Sequence, residues 1–112
     1  MLDLNALRRE MLESGDDDYT GLWEAIGMVR SKDSTLDDVR ARRIATAELV
    51  SLFNSGLLEI YRGTRFSGEQ VLVDDIDLAL KHDESWTGEG PTREEHYRFA
   101  ITPKGIDVLR RT

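Results

Sequence analysis

Leu49-Val-Ser-Leu-Phe-Asn-Ser-Gly-Leu-Leu-Glu-Ile-Tyr-Arg-Gly63 reads as a helix that stops and passes directly into a strand. Leu49, Leu52 and Phe53 recur at helical spacing. Gly56 stands where a helix commonly ends in a left-handed residue. Beyond it Leu58 and Ile60 alternate, so Leu57–Arg62 is a predicted strand. A matching stretch lies near the end of the chain: Tyr97-Arg-Phe-Ala-Ile-Thr-Pro-Lys-Gly-Ile-Asp-Val-Leu109. Tyr97–Ile101 alternates as a second strand, and Pro103 suits the first turn of a helix running to Arg110. A long hairpin joins the two strands, which predicts antiparallel pairing.

Upstream, Leu4, Leu7, Met11 and Leu12 predict an amphipathic helix over residues 4–14, ended by Ser14-Gly15. Tyr19, Leu22, Trp23, Ile26 and Val29 form a second stripe, with Asp16, Asp17 and Asp18 at its start and Asp18 as its cap. Ser34-Thr-Leu-Asp37 fits a capping box with Asp in place of Glu. Nothing breaks a helix from there to Ser55, about 21 residues or roughly 31 Å. Its apolar stripe drifts, however: Leu36, Val39 and Ile44 lie on other faces than Ala45, Leu49, Leu52 and Phe53. Two arrangements fit, a continuous helix buried on more than one side or a helix bent near residues 41–44. Between the two strands, Val71-Leu72-Val73 reads as a short strand and Ile76, Ala79 and Leu80 as a helix reaching about His82. Asp83–Glu95 contains Gly88, Gly90 and Pro91 and reads as loop. The expected core comprises Leu22, Trp23, Ile26, Leu49, Leu52, Phe53, Leu57, Ile60, Phe99 and Leu109.

A chain of 112 residues suits one domain, and it has no cysteine, which excludes disulfides, zinc–thiolate sites and a thiol nucleophile. No basic-then-apolar leader opens it, and no apolar run approaches the roughly 20 residues that cross a bilayer, so a cytoplasmic location is expected. The net charge is −7, and its distribution is uneven. Residues 66–96 carry nine acids and two bases, a net −7 by themselves, whereas 35–65 carry +1 and 97–112 carry +3.

The Leu52, Gly56, Leu57, Leu58 turn, followed by Tyr97, Phe99, Thr102 and Gly105, resembles winged-helix regulators of the MarR and PadR type. The resemblance covers residues 20–112 and rests on structural motifs. It implies an α+β, winged-helix-like fold: three helices, a small antiparallel sheet with a long acidic wing insertion over 66–96, and a C-terminal helix. Residues 1–15 then form an N-terminal helical extension of a single domain, 1–112. The resemblance further implies DNA contacts from the recognition helix, here Arg40, Arg42, Arg43 and Thr46, and dimerisation through terminal helices. The bland alternative is a solvated helix face, with Arg43 paired to Asp37 or Asp38. The wing departs from the family pattern. DNA-contacting wings are short and basic, and duplex DNA carries a charge about every 1.7 Å, so a net −7 segment is repelled.

Other chemistry finds little support in the sequence. Asp74, Asp75, Asp77, His82, Asp83 and Glu84 match no metal-ligand spacing, and a helix start explains the aspartates. Asp16–Asp18 has the same explanation. No serine sits in a nucleophile elbow, and no Gly-rich loop carries the lysine of a phosphate cradle. No cofactor, metal or catalytic residue is therefore expected. Trp23 belongs to a core stripe. Trp86 either packs back on the sheet or is an exposed anchor in the acidic segment. The favoured expectation is a non-enzymatic protein–protein interaction module. Trp86, Asp83, Glu84 and Glu89 would meet a basic partner protein, as toxin-neutralising immunity proteins do. The alternative is a DNA-binding regulator.

Overall fold

The computed structural model describes residues 2–17, 19–63, 70–87 and 96–111. The expected Asp18 cap and Glu89 lie outside these residues. Helix α3 spans Asp38–Asn54 without interruption. Its cap is Asp37, not Ser34: the Asp37 carboxylate accepts from Arg40 N at 2.8 Å. Asp33 instead holds the preceding turn by accepting from Thr35 N at 3.1 Å. That hydrogen bonding, with the Thr35 hydroxyl foremost, keeps the Asp33 carboxyl below its ordinary pKa. At the other end Leu57 N donates to Leu52 O (2.9 Å) and Gly56 N to Phe53 O (3.0 Å). This is a Schellman closure, and Gly56 takes the φ of +75° that it requires.

Strand β2 (Leu58–Gly63) leaves this turn, and the later strand His96–Ile101 (β4 below) pairs with it antiparallel, from Leu58 opposite Ile101 to Gly63 opposite His96. The last helix, Pro103–Arg111 (α6 below), follows at once. The two motif-bearing stretches meet here. Thr102 Oγ1 donates to Gly56 O at 2.6 Å and accepts from Gly105 N at 3.0 Å. Thr102 N donates to Leu57 O at 3.0 Å, and Lys104 Nζ reaches Ser55 O at 2.9 Å. A Cβ at position 105 would lie 2.3 Å from Leu57 O, so the glycine is a steric necessity of the joint.

The N-terminal half departs from expectation. Helix α1 runs Leu4–Asp17, straight through Ser14-Gly15. Gly15 marks a close approach, not a stop: a Cβ there would sit 2.9 Å from Ile101 N on β4. Leu7, Met11 and Leu12 are buried, so α1 docks on its own chain. Residues Thr20–Gly21 form a two-residue strand, β1, paired antiparallel with β4. Helix α2 therefore starts at Leu22, later than Asp18 would give, and ends at Lys32. Gly21 N is held by the Glu24 carboxylate at 2.8 Å. Lys32 also forms an ion pair with Glu10 of α1.

Between β2 and β4 lie β3 (Gln70–Val73), α4 (Ile76–Leu80) and a single-turn helix α5 (Glu84–Thr87). The last stands where loop was expected. The sheet order is β1-β4-β2-β3, all antiparallel. The fold is thus α+β, with six helices and four strands among the described residues. Leu22, Leu49, Leu52, Leu57, Ile60 and Phe99 are buried as expected. Trp23, Ile26, Phe53 and Leu109 are only partly covered, because they sit on the rims of their helix stripes.

Candidate functional site

The arginine-bearing half of α3 and the α4–α5 excursion form one surface. Arg42 points from α3 into the excursion. Its Nη2 donates to Asp83 Oδ1 at 2.7 Å and to Leu80 O at 3.2 Å. The guanidinium also lies 5.0 Å from the centre of the Trp86 ring. Trp86 is only 5% exposed, and its indole N–H donates to the same Leu80 carbonyl at 3.0 Å. The tryptophan therefore packs inward, and its availability as an exposed anchor is corrected: burial against α2 and the Arg42 stack occupies it.

The other named residues are arranged around this tie. Arg40 and Arg43 are exposed, and Thr46 is half-buried. Asp38 pairs with Arg30 of α2 at 3.1 Å and Asp37 caps α3, so neither plays the expected role of partner to Arg43. Asp83, with 81% of its side chain exposed, and Glu84 lie at the start of α5. Two shallow hollows flank the Arg42–Asp83 pair and share Val39, Arg42 and Asp83. Arg43, Thr46 and Lys81 line one, and Ile26, Trp86 and Thr87 line the other. Val39, 70% exposed, stands between arginines on the open side of α3.

Among the described residues, the His82–Ser85 pair is a geometric candidate for chemistry that needs a nucleophile, and it is enclosed. His82 Nδ1 and Ser85 Oγ are 2.7 Å apart, and Ser85 Oγ accepts from Tyr97 N at 2.8 Å. Ser85 is fully buried, so this hydroxyl pins α5 to β4 and is closed to solvent. The His82 ring packs edge-on to Tyr97 and to His96. Among the described residues no group of three or more His, Cys, Asp or Glu side chains converges as a metal ion requires. Among them, too, no helix is long and apolar enough to cross a membrane.

A second surface was not anticipated. Tyr61 on β2 lies opposite Leu72 on β3, and its ring meets Tyr19 edge-on at 5.0 Å. The Tyr61 hydroxyl donates to Glu59 Oε2 at 2.6 Å. That hydrogen bond, helped by partial burial, pushes the phenol pKa up to about 12. Each residue looked ordinary in the sequence; only the strand register brings them together. Comparisons of this chain with protein families, with curated proteins and with solved structures find no match.

Proposed function

We propose that this chain is a non-enzymatic, winged-helix-like interaction module that binds a basic partner protein in the cytoplasm. The observation that carries this reading is the fate of Arg42. The central arginine of the helix that would read DNA is already satisfied by Asp83, the Leu80 carbonyl and the Trp86 ring. Among the described residues the other cations around that face, Arg30, Arg40, Arg43 and Lys81, share it with Asp37, Asp38, Asp83 and Glu84. A phosphate backbone approaching α3 would meet carboxylates as often as guanidinium groups, and counterion release, the usual source of DNA affinity, would be small. A basic protein would meet an acidic excursion in favourable orientation, with steering that weakens with salt. Three helices followed by paired strands and a closing helix support the winged-helix reading of the scaffold.

One observation favours the DNA-binding alternative: Arg40, Arg43 and Thr46 stand at the N-terminal half of α3, the part that enters a major groove. One experiment separates the two. The tagged chain is used to capture partners from cells that produce it, and the captured protein is purified and titrated back. In parallel, a labelled random duplex is titrated at about 0.15 M salt, where the screening length is roughly 8 Å. A stoichiometric complex with a basic protein and no duplex binding is the expected result. A micromolar, salt-sensitive duplex affinity that disappears in Arg40→Ala/Arg43→Ala would overturn it. Duplex binding gained only in Asp83→Ala, which releases Arg42, would mark an occluded DNA reader instead.

A further inference from the structure

We propose that the outer edge of β3 is the docking strand: an extended, lysine- or arginine-rich segment of the partner protein adds there as a fifth strand. This rests on the basic-partner reading and names where and in what form the partner binds. The sheet has two edges, and they differ. β1 is two residues long and both are buried, so it offers no template. β3 ends the order β1-β4-β2-β3 and pairs only with β2 among the described residues, so alternate backbone N–H and C=O groups face outward.

The side chains on that edge are open and apolar. Val71 is 66% exposed and Leu72 is 53% exposed, and they project to opposite faces of the sheet. Leu72 is also the end of the row Leu72–Tyr61–Tyr19, so an apolar side chain of an added strand would extend an existing row. Natural edges are commonly protected by lysine or proline, and Gln70–Val73 contains neither.

Charge selects the occupant. β3 runs directly into Asp74, Asp75 and Asp77, all exposed, and Glu59 lies on the tyrosine side of the sheet. Among the described residues, the cation on the neighbouring strand is Arg62, opposite Val71, and it stacks over Tyr97 at 5.7 Å. A basic strand with alternating apolar residues satisfies the edge hydrogen bonds, the apolar row and the carboxylates together. A second copy of this chain brings the same net −7, and its arginine run, Arg40, Arg42 and Arg43, is locked in helix α3 and is not an extended segment.

The test uses a blocked octapeptide of alternating lysine and valine, with a glutamate–valine counterpart, titrated into the full chain and followed by amide resonances and hydrogen exchange. The lysine peptide should slow exchange at residues 70–73, and Val71→Lys/Leu72→Lys should weaken it about tenfold or more, with an unchanged melting curve. The glutamate peptide should not bind. Equal binding of both peptides, or no binding of the lysine peptide, overturns the inference. If the lysine peptide binds the double variant undiminished and residues 70–73 stay unprotected, the edge is wrong while the basic-partner reading stands. Protection of 70–73 that grows with protein concentration alone would make a second copy the occupant and overturn it as well. Failure of the capture experiment above would remove the basic-partner reading whatever this strand does.

Discussion

Among the long-range polar ties of this chain, the one at the α3–α6 joint and the one at the excursion are built differently. At the joint between α3 and α6, Thr102 bonds Gly56 O and Leu57 O, across 45 or 46 positions of sequence. At the excursion, Arg42 bonds Asp83, across 41. The joint uses backbone carbonyls that folding must satisfy in any case, and a missing Cβ makes the fit. The excursion tie uses one ion pair whose carboxylate is 81% solvent-exposed, where water and salt compete for both partners. The first kind of contact specifies a fold. The second positions a surface and is open to exchange with a partner.

The contrast predicts a ranking of substitutions, measured by chemical denaturation. Gly105→Ala should have the largest effect, about 3 kcal/mol or more, because the new methyl meets the Leu57 carbonyl and neither backbone can yield cheaply. A loss below about 1 kcal/mol would mean that the joint is loose. Gly56→Ala comes next, at about 1–2 kcal/mol, since its positive φ penalises any Cβ although that Cβ would meet only the Lys104 side chain, at 3.8 Å. Thr102→Val should cost about 1–2 kcal/mol by removing a helix cap and the Gly56 bond together.

At the excursion the expected effects are smaller. A double-mutant cycle on Arg42→Ala and Asp83→Ala should return a coupling of about 0.2–1 kcal/mol, shrinking with added salt. A coupling of several kcal/mol would make the tie as structural as the joint and would weaken the case for an exchangeable surface.

The smallest effect concerns Tyr61. Its phenol is raised from 10 to about 12, chiefly by its hydrogen bond to Glu59. The folded-state pKa is above the unfolded one, so the contribution is complete below pH 10 and fades as pH rises toward 12. An ultraviolet titration should show one late-titrating tyrosine that returns toward 10 in Glu59→Gln; unchanged titration in that variant would exclude Glu59 as the cause.

These ranks also explain what the sequence made visible. Gly56 and Thr102-Pro103 announce themselves because each enforces local backbone geometry, β2 and β4 follow from alternation, and β3 follows from a short apolar run. Gly15 misled because a glycine demanded by close packing looks the same in sequence as one that ends a helix. β1 and α5 are too short to show a period. Arg42, Asp83 and Trp86 were each singled out, but their meeting depends on how an excursion folds back, which no local pattern encodes. The drift of the α3 stripe has a simple outcome: the helix is continuous, and the break lies earlier, in residues 33–37.

The order β1-β4-β2-β3 has a consequence for how the chain acquires its shape. The strand that joins β1 to β2 is the last of the four to leave the ribosome. Until Ile101 has emerged, residues 20–21 have no strand partner and β2 and β3 lack β4, and a two-stranded pair is marginal in water. Assembly of the sheet is therefore a late event that closes long loops at once, which is entropically slow. Before then the apolar edge at Val71 and Leu72 is displayed on a nascent, unanchored strand pair, the stage at which a premature encounter with another chain is most costly.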